Sequence, residues 1–243
     1  MPFTFTHPAI VLPLKKVFGK WVSFTGLVIG SLTPDFEYFF RMKIQSEYSH
    51  TIIGTLWFNL PLGILLTFVF HQIIKKPLIE NSPKIIQERL VSLKNFNWKN
   101  YFNKNWLKVC ISIIIGAYSH ILWDSFTHRN AYLVEYLQLN NQIESLGIPY
   151  FKLLQHLSSL IGGIIILWYF LRIEKNEKTY NKPKSSYWVV IGILTVCILL
   201  LKFITNLKIS EYGNVIVSGI SALMISTTII SGYEMKKTSG NTS

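Results

Sequence analysis

Long apolar stretches constrain this sequence more than any other feature. They cover residues 22–33, 52–74, 107–127, 153–171, 187–206 and 214–232. About 20 apolar residues in a helix cross the roughly 30 Å hydrocarbon core of a bilayer, and every stretch except the first has about that length. The first ends at Thr33-Pro34 and is expected to be short, re-entrant or interfacial. The pattern predicts an all-α integral membrane helical bundle with five or six transmembrane or re-entrant helices.

Basic residues are distributed unevenly among the loops between these stretches. The formal net charge is +12, and the loop over 75–108 carries eight lysines and arginines against two glutamates, whereas the loop over 129–152 is balanced. Cytoplasmic loops of membrane proteins carry the excess of lysine and arginine. We therefore expect a multi-pass protein of the cell inner membrane, with 75–108 and 172–184 in the cytoplasm and 129–152 outside. Because the positive charge is concentrated in alternate loops between apolar stretches, we expect the lipid bilayer as a partner and not nucleic acid.

The polar motifs and the apolar stretches together suggest a division of the chain. Residues 1–175 are expected to form a helical membrane domain that carries the polar motifs. Residues 176–234 are expected to form two further transmembrane helices, followed by a polar C-terminal tail over 235–243.

Most histidines and several acidic residues fall at the ends of the stretches that this topology places outside. These residues are Asp35, Glu37, His50, His120, Asp124, His128 and His156. His7 joins them if the stretch over 22–33 does not cross the membrane, whereas His71 lies at the cytoplasmic end and is assigned no role. We therefore expect a polar site on the outer, non-cytoplasmic side.

The segment SHILWDSFTHRN places His120, Asp124 and His128 four residues apart, which puts them on one face of a helix. Eight residues of helix rise about 12 Å, yet zinc ligands lie about 2.0–2.2 Å from the metal. Either the helix breaks before His128, or the site holds two ions. Mixed imidazole and carboxylate ligands favour zinc, with manganese or iron as alternatives. Ionisable residues within apolar stretches are costly unless paired or coordinated, which favours a function for Asp124 and His156.

Several alternatives remain open for the other polar residues. Asp35 follows Thr33-Pro34, so its carboxylate either stabilises a helix N-terminus or acts as a metal ligand and general base. Arg41 and Arg129 either bind a phosphate or lipid headgroup or only extend their charges to water. The same histidines and acids would also serve a transporter of metal ions or protons, a b-type haem protein or a scaffold. The absence of a Gly-x-Ser-x-Gly motif argues against a serine hydrolase.

Four motifs together resemble a bacterial family of multi-spanning membrane proteins described as a domain of unknown function. They are MPFTFTHP, GSLTPDFEYFFR, EYSHTIIG and SHILWDSFTH. More distantly, the order of Pro-Asp, Ser-His and His-x-x-x-Asp is similar to that of inner-membrane proteins described as metal-dependent hydrolases. A weaker resemblance is to the all-helical zinc-dependent phospholipase C and P1 nuclease superfamily, whose zinc ligands follow the order seen in His7, Asp35, His50, His120, Asp124, His128 and His156.

The resemblance to this superfamily implies that Asp35 is a candidate base and that Asp124 can bridge two ions. The sequence departs from the superfamily pattern at Leu160, where a glutamate is usual, and at its first residues, which are Met-Pro rather than a tryptophan that binds zinc. One or two zinc ions are therefore expected. The predicted function is a membrane-bound metal-dependent hydrolase that cleaves a phosphoester of a phospholipid or lipid-linked substrate with metal-activated water.

Overall fold

The computed structural model describes residues 3–176, 182–205 and 207–240. These residues are mostly helical, with one antiparallel pair of two-residue strands, β1 (Gln142–Ile143) and β2 (Ile148–Pro149). The predicted all-α fold is therefore confirmed. Residues 177–181 of the predicted basic loop and 241–243 of the predicted tail lie outside the described residues.

The α-helices and the shorter helical turns follow one another along the chain. The α-helices are α1 (Pro8–Phe18), α2 (Phe24–Gly30), α3 (Phe36–Arg41), α4 (Ile52–Gly54), α5 (Leu60–Val69), α6 (Lys75–Glu80), α7 (Lys84–Lys94), α8 (Trp98–Asp124), α9 (Tyr132–Tyr136), α10 (Tyr150–Leu171), α11 (Ser185–Thr205) and α12 (Tyr212–Gly240). The 3-10 turns are Thr4–Thr6, Gly19–Trp21 and Thr33–Asp35, and π-helical turns cover Thr55–Asn59 and Phe70–Ile74.

Among the described residues, five helical segments are long and apolar enough to cross a membrane, which indicates a multi-pass membrane protein. They are Ile52–Glu80, Trp98–Asp124, Tyr150–Leu171, Ser185–Thr205 and Tyr212–Lys237. They correspond to the last five predicted stretches. The stretch over 22–33 forms only the seven-residue helix α2, which is about 10 Å long at 1.5 Å per residue and is too short to span.

The chain divides into two compact units, and the first contains residues 1–36, 47–65 and 105–172. In this unit α2 packs directly on α8. A Cβ atom on Gly30 would collide with the backbone of Ile113, and one on Gly116 would collide with the Leu27 carbonyl. Small residues allow this backbone-to-backbone approach between helices in membranes. It brings the turn that follows α2 beside the C-terminal half of α8.

The second unit contains residues 37–46, 66–104 and 173–243. Within it α11 packs along α12, and the Tyr187 hydroxyl lies 2.9 Å from the Ser231 hydroxyl. The Ser218 hydroxyl donates to the Met42 carbonyl at 3.0 Å. Residues 235–240 of the predicted polar tail continue α12 as helix.

Candidate metal centre

Four side chains from three segments of the first unit converge on one point. Asp35 ends the 3-10 turn after α2, His50 precedes α4, and His120 and Asp124 lie in the last turns of α8. One ligand atom from each of the four lies within 4.8 Å of all the others. The spacing of four residues along α8 explains why His120 and Asp124 share a face. Packing of α2 on α8 brings in Asp35.

The distances between these ligand atoms are short and similar. The Oδ1 atom of Asp35 lies 3.4 Å from Nε2 of His50 and 3.5 Å from Nε2 of His120. The Oδ2 atom of Asp124 lies 3.5 Å from Nε2 of His50 and 3.2 Å from Nε2 of His120. Ligands at about 2.0–2.2 Å from a tetrahedral metal are about 3.3–3.6 Å apart. Three of the four distances lie in this range and the fourth is 0.1 Å shorter, so they are close to the spacing of ligands around one metal ion.

Hydrogen bonding within the described residues tests whether a metal fits. Oδ1 of Asp35, Oδ2 of Asp124 and Nε2 of His120 are buried and make no hydrogen bond there. A buried polar atom without a hydrogen bond costs about 1–3 kcal/mol, so three such atoms directed at one point require an explanation. A cation at that point would satisfy all three. The group of Asp35, His50, His120 and Asp124, here called the metal centre, can therefore hold a metal ion.

The second nitrogen of each imidazole is also engaged, which orients the ring. Nδ1 of His120 lies 2.7 Å from the Ser31 carbonyl oxygen. Because a carbonyl only accepts, Nδ1 of His120 carries the proton and donates it, which leaves Nε2 to bind a metal. Nδ1 of His50 lies 3.1 Å from the Ser49 hydroxyl. Both rings are held in the orientation that directs Nε2 at the metal centre.

The second oxygen of each carboxylate is held by the N-terminal turn. Oδ2 of Asp35 accepts from the Thr4 hydroxyl at 2.5 Å, and Oδ1 of Asp124 lies 3.2 Å from Nε2 of His7. His7 also stacks on His120, with the ring centroids 3.7 Å apart. Contacts of this second layer orient ligands and tune their affinity for the metal.

The charges of the group favour a cation. Burial raises the pKa of Asp35, but the neighbouring His120 and His50 outweigh burial and hold that pKa well below its usual range. Asp35 is therefore ionised at neutral pH. Burial disfavours a charged His50, yet its contacts with Asp124 and Asp35 raise its pKa above the usual range. Without a metal the His50 imidazole attracts a proton, so metal binding and protonation compete.

The predicted ligands fall into three groups in the structure. Asp35, His50, His120 and Asp124 form the metal centre. His7 and His128 contact Oδ1 of Asp124 instead, at 3.2 and 3.4 Å. His156 lies exposed on α10 and is not part of the metal centre. Helix α8 ends at Asp124, so the helix does break before His128.

The two arginines that the sequence associates with a phosphate lie outside the metal centre. In the second unit, Arg41 donates to the buried Glu37 through Nη2 at 2.9 Å and through Nε at 3.1 Å. Arg129 is exposed in the turn after α8. A role in phosphate binding remains a prediction for both.

Sequence reasoning missed the second layer of contacts around the metal centre. Thr4 lies in the motif MPFTFTHP, so its place beside His7 was a usable signal. Ser31 contributes only its carbonyl oxygen, a group that every residue has, and no sequence signal marks it. Ser49 could be found only as the neighbour of His50.

Comparison with known proteins gives a family but no activity. A family model described as Domain of unknown function (DUF4184) matches residues 1–232. No curated protein and no solved structure matches the chain. The resemblance to a family of unknown function is thereby confirmed, whereas the resemblances to metal-dependent hydrolases and to the phospholipase C and P1 nuclease superfamily remain predictions.

Proposed function

We propose a function for this chain, which belongs to the family described as Domain of unknown function (DUF4184). The proposed function is that of a membrane-bound metal-dependent hydrolase acting on a phosphoester of a lipid or lipid-linked substrate. The observation that carries this proposal is the convergence of four side chains on one point. Three of their buried atoms, Oδ1 of Asp35, Oδ2 of Asp124 and Nε2 of His120, make no hydrogen bond within the described residues. Their spacing suits one transition-metal ion, and two nitrogen and two oxygen ligands favour zinc over manganese or iron.

The protein side chains have distinct proposed roles in this reaction. A zinc ion lowers the pKa of a bound water to about 7 and polarises a phosphoryl oxygen. His50, His120 and Asp124 would hold the ion. Asp35, whose carboxylate is ionised at neutral pH, would act either as a further ligand or, when it does not bind the ion, as the proton acceptor. The His50 side chain is 19% exposed, whereas those of Asp35 and His120 are fully buried, so water and substrate would enter beside His50.

The position of the metal centre along the candidate spans supports a substrate at the membrane surface. His50 directly precedes the segment Ile52–Glu80, and Asp124 ends the segment Trp98–Asp124. Their side chains lie 3.5 Å apart, so the start of one span meets the end of the other. From the positive-inside rule we propose that this end lies at the outer face of the inner membrane. A phosphoester at the headgroup level would lie at the same depth, where the exposed Arg129 is proposed to bind it.

A structural metal site is the second candidate, and one observation favours it. Four protein ligands fill a tetrahedral zinc, as in structural sites, whereas catalytic zinc retains a position for water. Hydrolysis would require the ion to accept a fifth ligand, which zinc does in some catalytic sites. Metal content alone does not separate these two functions, and an activity measurement does.

The test is a paired measurement of metal content and hydrolysis. Protein purified in detergent without chelator is expected to contain about one transition-metal ion per chain and to release phosphorylated product from phospholipid vesicles. Asp124→Asn and His120→Ala should lose the metal, whereas His156→Ala, which alters an exposed histidine outside the metal centre, should keep it. Wild-type protein without stoichiometric metal would overturn the proposal, and metal without hydrolysis across a panel of phospholipid and lipid-linked phosphate substrates would establish the structural site instead.

A further inference from the structure

The turn that carries His50 leads into a helix with an unusual start. After the short helix α4, the backbone forms a π-helical turn over Thr55–Asn59 before the regular helix α5 begins. Such turns are rare, occur mostly as single turns within α-helices and are frequent at functional sites. Asn59 ends this turn and is completely buried. A polar amide buried in an apolar stretch calls for a specific partner.

The partner of Asn59 is the turn next to the metal centre. The Nδ2 amide of Asn59 donates to the Ser49 carbonyl oxygen at 2.7 Å. Ser49 is itself completely buried, and its hydroxyl lies 3.1 Å from Nδ1 of His50. Asn59 thus holds the residue that precedes the ligand His50 and contacts its ring.

The π-helical turn is what places Asn59 there. Each residue of a regular α-helix turns by about 100°, so a turn with one residue fewer would rotate later side chains by about that angle. The rest of the connection is equally tight: the Thr51 hydroxyl donates to the Tyr48 carbonyl at 2.7 Å and accepts from the Gly54 amide at 2.9 Å. A Cβ on Gly54 would collide with that same carbonyl. Hydrogen bonds and close packing within the segment from Tyr48 to Asn59 therefore fix the backbone on both sides of His50.

We infer that Asn59 is a positioning residue for the metal ligand His50, and this inference rests on the proposed metal centre. Without the Asn59 amide, the Ser49 carbonyl would lose this buried hydrogen bond and the turn that it holds would shift. A shift of this turn moves Nε2 of His50 away from the other three ligands. Second-layer residues of this kind change metal affinity about 10- to 100-fold when they are replaced.

The experiment measures metal affinity and ligand geometry in detergent-purified protein. Asn59→Asp keeps the shape of the side chain but removes the donor, and Asn59→Leu removes both polar groups. Thr67→Val is the matched control, because Thr67 is equally buried eight residues further along the chain. Both Asn59 variants should bind the metal about 10- to 100-fold more weakly in competition with a chelator, and their Co²⁺ absorption spectra should differ from that of wild-type protein. Thr67→Val should retain wild-type affinity and spectrum.

A double-mutant comparison separates positioning from a general loss of structure. If Asn59 acts through His50, adding Asn59→Asp to His50→Ala should weaken metal binding no further than His50→Ala alone. Unchanged affinity and spectrum in both Asn59 variants, or a full additional loss in the double variant, would overturn the inference while the proposed function stands. Wild-type protein that binds no metal would overturn both.

Discussion

Asp124 is the residue whose replacement tests the metal centre most directly. Its Oδ2 atom faces His120 and His50 at 3.2 and 3.5 Å, and its Oδ1 atom faces His7 and His128 at 3.2 and 3.4 Å. In Asp124→Asn the side chain keeps its shape, loses its negative charge and gains an amide that can donate to an imidazole nitrogen. We expect the metal-free variant to fold but to be somewhat less stable than metal-free wild type where His50 is protonated, while its metal binding is largely lost.

The size of the effect follows from the number of ligands. Four-ligand zinc sites bind with about 10–16 kcal/mol, so one ligand contributes about 3 kcal/mol, or about two orders of magnitude in affinity. Free metal at about 100 times the dissociation constant stabilises wild-type protein by about 2.7 kcal/mol. At the same metal concentration the variant would gain only about 0.4 kcal/mol. For a chain of this size, chelation should lower Tm by about 5–10 °C in wild type and by about 1 °C in the variant.

The assay is thermal unfolding in detergent with and without a chelator, followed by a fluorescence or light-scattering probe. His156→Ala serves as the control, because His156 is exposed on α10 and should leave the shift of Tm on chelation unchanged. An Asp124→Asn protein that loses as much Tm on chelation as wild type would refute the assignment of Asp124 as a ligand.

Three further predictions concern the surroundings of the metal centre. Thr4→Val removes the donor to Oδ2 of Asp35, so metal affinity should fall about 10- to 100-fold in a chelator competition; an unchanged affinity would show that Thr4 does not orient this ligand. Because the pKa of His50 is raised in metal-free protein, metal affinity should rise as pH increases through that pKa, and calorimetry in two buffers should detect proton release on metal binding. Because the folded state holds this proton more tightly than the unfolded state, the metal-free protein should also lose stability over the same rise in pH. Arg129→Gln should raise KM with little change in kcat if Arg129 binds the phosphate uniformly, and an unaltered KM would exclude that role.

Local periodicity accounts for what sequence reasoning predicted well. The five long helical segments follow from runs of about 20 apolar residues, because only an internally hydrogen-bonded helix satisfies the backbone in lipid. The pairing of His120 with Asp124 follows from the repeat of the helix, which places residues four apart on one face. Asp35 and His50 were also candidates, because the predicted topology places them on the same side of the membrane as His120 and Asp124.

The selection among those candidates depends on contacts between segments that are distant in the sequence. Asp35 reaches the metal centre because Gly30 and Gly116 let α2 approach the backbone of α8, and a glycine in the sequence does not reveal which backbone it will meet. The sequence placed His156 with the ligands by its position in an apolar stretch, yet its side chain lies exposed on α10.

Thus the amino-acid sequence alone determined the helical membrane class, the approximate spans and the i, i+4 pair on α8, because these depend on the local rise and turn of a helix. Only the tertiary structure decided that Asp35 and His50 complete the group and that Thr4, Ser31 and Asn59 support it. These contacts join segments up to 89 residues apart. Their strength depends on atomic positions to within a fraction of an ångström, which packing sets and residue type does not.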